Sequence, residues 1–107
     1  MSIDKLPPFL QDVAKRYPGV WDAYNRLGEE IGEAGPLDDA TERLVKLAIA
    51  IGGGLEGAVH SHARRGLAAG LSADQLRQVA LLAITTIGWP SAMRALSWID
   101  DVIDEPA

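Results

Sequence analysis

The sequence predicts an all-α protein of about six helices. Apolar residues recur at helical spacing in successive segments, proline or glycine separates those segments, and no β run of convincing length occurs. Pro7-Pro8 opens a first short helix carrying Phe9, Leu10 and Val13, and Tyr17-Pro18-Gly19 breaks it. A second helix places Val20, Tyr24, Leu27 and Ile31 on one stripe and ends at Gly35-Pro36. Asp38 or Asp39 can cap the third, which continues through Leu44, Leu47, Ala48 and Ile51 until Gly52-Gly53-Gly54 stops it. The fourth runs from about Leu55 to Ala69, with Gly70 as its C-terminal punctuation. Ser72-Ala73-Asp74-Gln75 reads as a capping box for a fifth helix, Asp74 to Ile87. Gly88-Trp89-Pro90 separates this from a sixth, Ser91 to about Ile103, before an acidic tail with one proline.

The 107 residues fit one domain. A domain of this size buries roughly 60–70% of the surface its unfolded chain exposes, so its core is thin. Two helices ask more of it. Leu76, Val79, Ala80, Leu82, Ala83, Ile84 and Ile87 surround most of the fifth, and Val45, Leu47, Ala48, Ile49, Ala50 and Ile51 do the same at the end of the third. A helix apolar all round needs neighbours on all sides. The expectation is therefore a symmetric homo-oligomer in which a second copy covers the surplus. One central helix beside a merely alanine-rich one, in a monomer, is the plainer alternative.

Charge excludes several partners. Net charge is −5, from 15 acidic and 10 basic residues, and no basic cluster exceeds Arg64-Arg65. Nucleic acid and anionic membranes both require many lysine or arginine contacts, so neither is expected. The apolar run from Val79 to Ile87 falls short of the ~20 residues a membrane span needs. The N-terminus carries no secretory pattern, and a cytoplasmic location is expected. There is no cysteine, hence no disulfide and no thiol chemistry within the chain.

Both histidines, His60 and His62, lie in the fourth helix, so acid–base chemistry near neutral pH starts there or borrows a carboxylate. Leu55, Ala58, Val59, His62, Gly66 and Ala69 fall on one apolar band, with His62 its only ionisable member. Either that ring is structural, bonded to a backbone carbonyl, or desolvation keeps it neutral and able to accept a proton. Glu56, His60 and Arg64 share another band at i, i+4 and i+8, a spacing that suits exposed ion pairs on a solvated face. His60 and His62 point about 200° apart and cannot chelate one ion, and Glu56 with His60 needs help from elsewhere, so no metal is assigned. Gly52-Gly53-Gly54 reads as a tight connector, or as amides that could hold a carboxylate; it lacks the Gly-Lys-Ser/Thr element of a P-loop. Trp89 and Pro90 form a turn or the wall of a pocket.

The order of these features from Thr41 to Val102 resembles the carboxymuconolactone decarboxylase and alkylhydroperoxidase D-like superfamily. The likeness rests on Leu44-Val45-Lys46-Leu47-Ala48-Ile49-Ala50, the glycine turn, and His62 followed by Arg65, Leu67, Ala68 and Gly70-Leu71-Ser72. It continues through Thr85-Thr86-Ile87-Gly88-Trp89-Pro90 to Ala92 and Ala95. The resemblance implies an all-helical domain, core about 41–102, that forms trimers or hexamers. Redox members look like Cys-x-x-Cys-x-x-x-His, with a glutamate twelve residues before the first cysteine. Here those positions hold Leu55, Ala58 and Arg43, and only His62 matches. A thiol peroxidase needs a thiolate, so that activity is not expected.

Decarboxylase-type members imply a glutamate and a histidine acting on a small lactone acid. Glu56 and His62 are the matching candidates, with Arg43 or Arg65 holding a substrate carboxylate, and His60 and Trp89 as further binding candidates. No cofactor is called for. The leading expectation is thus an acid–base enzyme, lyase- or isomerase-like, on a small lactone or keto acid. The alternatives are a non-catalytic helical oligomer serving as a binding or scaffold module, and a metal or ligand site on a symmetry axis.

Overall fold

A computed structural model describes residues 6–106. It contains six α-helices: α1 (Pro8–Arg16), α2 (Pro18–Glu33), α3 (Asp39–Gly52), α4 (Glu56–Ala68), α5 (Ala73–Ile87) and α6 (Trp89–Ile103). Their starts follow from local chemistry. α1, α2 and α6 each carry a proline in the first two positions, where a missing N–H removes nothing from the helix. Asp38 caps α3 by accepting from Thr41 N at 2.8 Å. The capping box before α5 is complete: Ser72 Oγ accepts from Gln75 N at 3.1 Å, and Gln75 Oε1 accepts from Ser72 N at 2.8 Å. One boundary differs from the sequence reading. Trp89 and Pro90 belong to the first turn of α6, because a proline there is compatible with a helix start; the separator is Gly88 alone, at φ +97°.

The chain groups into two compact units, Met1–Pro36 and Leu37–Ala107. In the first, α1 and α2 pack together, with Ala14 of α1 buried. α2 buries none of its residues, and its predicted stripe of Val20, Tyr24, Leu27 and Ile31 is 54–66% exposed.

The second unit holds a four-helix core. Its largest fully buried side chains are Leu47, Val59, Leu76 and Ile99, one from each of α3, α4, α5 and α6. α4 comes close because its core face is small: Val59, Ala63 and Gly66, at i, i+4 and i+7. A Cβ on Gly66 would sit 3.1 Å from Leu71 Cδ1 and 3.2 Å from Leu76 Cδ2. The apolar surplus expected from the sequence is visible as uncovered surface. α3 buries Leu47, Ala50 and Ile51 but leaves Val45 and Ile49 exposed; α5 buries Leu76 and Ala80 but leaves Leu81 and Leu82 exposed.

The predicted apolar band of α4 is rotated relative to the observed one. Leu55 and Ala69 are exposed, Ala63 joins Val59 and Gly66 in the core, and His62 lies at the margin, partly buried. The physical reason is the close approach that Gly66 and Ala63 permit, which turns the smallest side chains inward.

Candidate functional site

The core face of α4 divides its polar residues into two flanks. On one, His60 and Arg64 meet α6. His60 Nε2 lies 3.1 Å from Asp101 Oδ2, and Arg64 Nε donates to both carboxylate oxygens of Glu105 at 3.2 Å. Both pairs advance by four residues, so α4 and α6 run in the same direction along this seam. The hydrogen bond from Arg64 holds the Glu105 carboxyl below its usual range, and the same bond raises Arg64. Next along α6, Asp100 Oδ1 accepts from Arg77 Nε of α5 at 2.9 Å. The solvated face expected for Glu56, His60 and Arg64 is thus corrected in part. Two of the three are tied to acidic residues distant in sequence: His60 to Asp101, within the predicted sixth helix, and Arg64 to Glu105, in the predicted tail.

The other flank carries His62 and Arg65 and turns toward α3. Burial first, then the positive charges of Arg65, Lys46 and Arg43, hold the His62 ring below the ordinary histidine value. The neutral imidazole expected of a proton acceptor is the form this environment favours. Arg43 is tied to Asp39, one turn earlier in α3, at 2.8 Å through its Nε. Arg65 has no such compensation: its Nε is covered from solvent and has no hydrogen-bond partner among the described residues. A covered donor without an acceptor is unusual in a folded protein and costs free energy until something accepts from it. Sequence reasoning named Arg43, His62 and Arg65 here but missed Lys46, which a helical step of three from Arg43 places on the same side of α3.

The other named residues do not join this cluster. Glu56 is exposed in the first turn of α4, and its carboxylate makes no hydrogen bond or ion pair among the described residues. It stands some 120° around the helix from His62. Trp89 is 62% exposed at the start of α6. The amides of Gly53, Gly54 and Leu55 donate to Ile49, Ile51 and Ala50 carbonyls, which closes α3 and leaves none of them free for an anion. Gly54 adopts φ +65°, and a Cβ there would meet Arg94 Nη2 at 3.0 Å, so the triplet acts as a connector. A groove of about 500 Å³ lies instead along α2, lined by Gly19, Asp22, Ala23, Arg26, Leu27 and Glu30. Among the described residues, no three His, Asp or Glu side chains are arranged to hold a metal ion, and no helix is long and apolar enough to cross a membrane.

The second unit thus combines four helices with a histidine on the helix that follows a glycine turn, in a chain without cysteine. Comparison with protein families agrees: the carboxymuconolactone decarboxylase family matches residues 18–101, and the chain belongs to it. The match starts at α2, well before the Thr41 at which the sequence likeness begins. No curated protein and no solved structure matches the chain.

Proposed function

We propose that the chain is an acid–base protein acting on a small organic acid, with His62 moving a proton and Arg65 holding a carboxylate. The observation that carries this reading is the His62 flank itself. A partly buried imidazole, kept neutral, stands among Arg43, Lys46 and Arg65, and Arg65 has a covered donor awaiting an acceptor. A guanidinium presents paired donors that match two carboxylate oxygens. An imidazole that is uncharged before the acid binds can take up a proton and then deliver it to carbon, as the carbanion left by loss of carbon dioxide requires, or take it from one carbon and return it to another, as lactone isomerisation requires. Membership of the carboxymuconolactone decarboxylase family favours such a reaction over thiol chemistry, for which the chain has no cysteine. Arg43 is the second carboxylate ligand. Glu56 is the proton partner only if substrate spans the first turns of α4. The test is turnover of a panel of small lactone and keto acids: loss of an identified activity in both His62→Asn and Arg65→Gln supports the reading. Undiminished turnover in His62→Asn ends it.

A second reading rests on the uncovered apolar surface of α3 and α5. Val45, Ile49, Leu81 and Leu82 are 42–68% exposed, more large apolar surface than two core helices ordinarily leave to water, and such surface favours association. The reading is a homo-oligomer in which a second copy covers these faces, serving as a binding or scaffold module whether or not His62 turns over substrate. Sedimentation at micromolar concentration gives more than one chain mass if it holds, and a single chain mass if it does not.

A further inference from the structure

We propose that the His62 cluster takes up an oxyanion and a proton as a coupled pair, so that each promotes binding of the other. The proposal rests on the anion-holding role given above to Arg65 and adds a regulatory property to that site. The argument begins with a census of charge. From α3 the groups bearing on His62 are Arg43 and Lys46, and from its own helix Arg65; all three are cations. The one carboxylate bonded into the cluster is Asp39, held on Arg43 Nε at its exposed end. The carboxylates that α6 brings toward α4 and α5 are committed elsewhere: Asp101 to His60, Glu105 to Arg64 and Asp100 to Arg77. Lys46 and Arg65 therefore stand without a bonded counter-ion among the described residues, and His62 shares their surroundings.

In that setting a fourth positive charge on the ring is opposed by its neighbours. An oxyanion accepting from Arg65 offsets that positive potential, because Arg65 stands three residues along the same helix from His62 and bears on its ring. Desolvation by the anion opposes charge on the ring, so the coupling rests on the attraction between anion and imidazolium, which grows as water is excluded. Thermodynamic reciprocity does the rest: if the anion favours the protonated ring, the protonated ring favours the anion by the same factor. For one coupled proton, the limiting dependence of affinity is about tenfold per pH unit. The consequence for a bound acid is chemical. Substrate arrival converts His62 from a proton acceptor into a proton donor, which suits protonation of a carbanion or enolate left by loss of carbon dioxide.

The probe is inorganic sulfate, which keeps its full charge throughout the working range, so any proton uptake belongs to the protein. Long-range proton–nitrogen spectra of uniformly labelled protein report both imidazoles, and His60→Gln assigns the two. Titrations with sulfate at constant ionic strength are made from about pH 5 to 8, where imidazoles titrate. The coupling predicts that saturating sulfate moves the His62 midpoint upward while the His60 midpoint moves less. Affinity for sulfate then rises toward lower pH with a slope approaching tenfold per unit. His62→Asn still binds sulfate but loses that slope. Sulfate binding with a flat pH dependence and an unmoved His62 ring overturns the coupling and leaves the anion site standing. No sulfate binding at any pH in this range, in wild type or in His62→Asn, overturns both.

Discussion

The two flanks of α4 carry similar residues and differ in whether their charges are answered. Toward α6, Arg64 and His60 each face a carboxylate one helix away. Toward α3, Arg65 and His62 face further cations, and a covered guanidinium nitrogen is left without an acceptor. A flank whose charges are matched internally gains little from a ligand, while one that folding leaves unmatched gains from any group that completes it. On the proposed reading, stability and binding capacity lie on opposite sides of one short helix. The small core face of Val59, Ala63 and Gly66 holds both in register.

Breaking the comparison at its root requires the core that positions both flanks. Leu47 is fully buried in α3, on the helix that supplies Arg43 and Lys46. Leu47→Ala is expected to destabilise the fold by about 2–5 kcal/mol through lost transfer energy and an unfilled cavity. Chemical denaturation measures the loss, which should lower the protection of both α4 flanks together. A change at the α5 cap acts on neither flank. Ser72→Ala removes the acceptor of the Gln75 N–H and is expected to cost about 1 kcal/mol, with sulfate affinity unchanged. If that variant alters anion binding, the separation of cap from site is wrong.

That cap also marks how far the sequence was legible. Ser72 and Gln75, Asp38, and the proline at each of three helix starts are local signals, in which a residue acts on atoms a few positions away. Five of the six helix starts carry such a signal, and the glycine triplet marks the sixth, α4. The glycine connector was readable for the same reason, and the structure closes its amides as a connector should. The face of α4 was not readable in the same way. Periodicity gave a band centred near His62. The depth at which Gly66 lets α4 approach Leu71 and Leu76 rotated the core face toward Ala63. Charge partners were harder still. Asp101 and Glu105 lie 41 residues from His60 and Arg64, and nothing local to either segment announces the pairing. His62 and Arg65 were singled out as candidates from the sequence, but Lys46 became visible only when α3 and α4 were placed side by side.

Smaller effects sharpen the contrast between flanks. Glu105→Gln removes the matched charge on Arg64. Because the pair is largely solvent-exposed, the expected loss is about 0.2–1 kcal/mol, diminishing with added salt. Acid should reproduce it. The folded Glu105 lies below its ordinary value near 4.5, so its contribution is complete above that value and disappears as pH falls through the lowered folded value. Denaturation curves in low and high salt distinguish this from a packing defect, which salt would leave in place.

His62→Asn is the change with the least expected effect above neutral pH and the clearest signature below it. The folded ring is held below the unfolded value of about 6.5. As pH falls through that value, the unfolded chain takes a proton that the folded ring refuses, so stability declines until the folded ring titrates too. The paired flank shows nothing of Glu105 in this window, because its loss begins nearer 4.5. Wild type should therefore lose stability in two separate acid steps, the first belonging to the unmatched flank and the second in part to the matched one. His62→Asn should flatten the first and leave the second intact, as read by thermal midpoints from pH 8 to 3. Arg65→Gln should shrink the first step, because removing that cation raises the folded value toward the unfolded one and narrows the window over which stability is lost. If the first step survives in His62→Asn, it does not arise from that ring, and the cations around it leave no mark on stability. The difference between the flanks would then be one of geometry without electrostatic consequence.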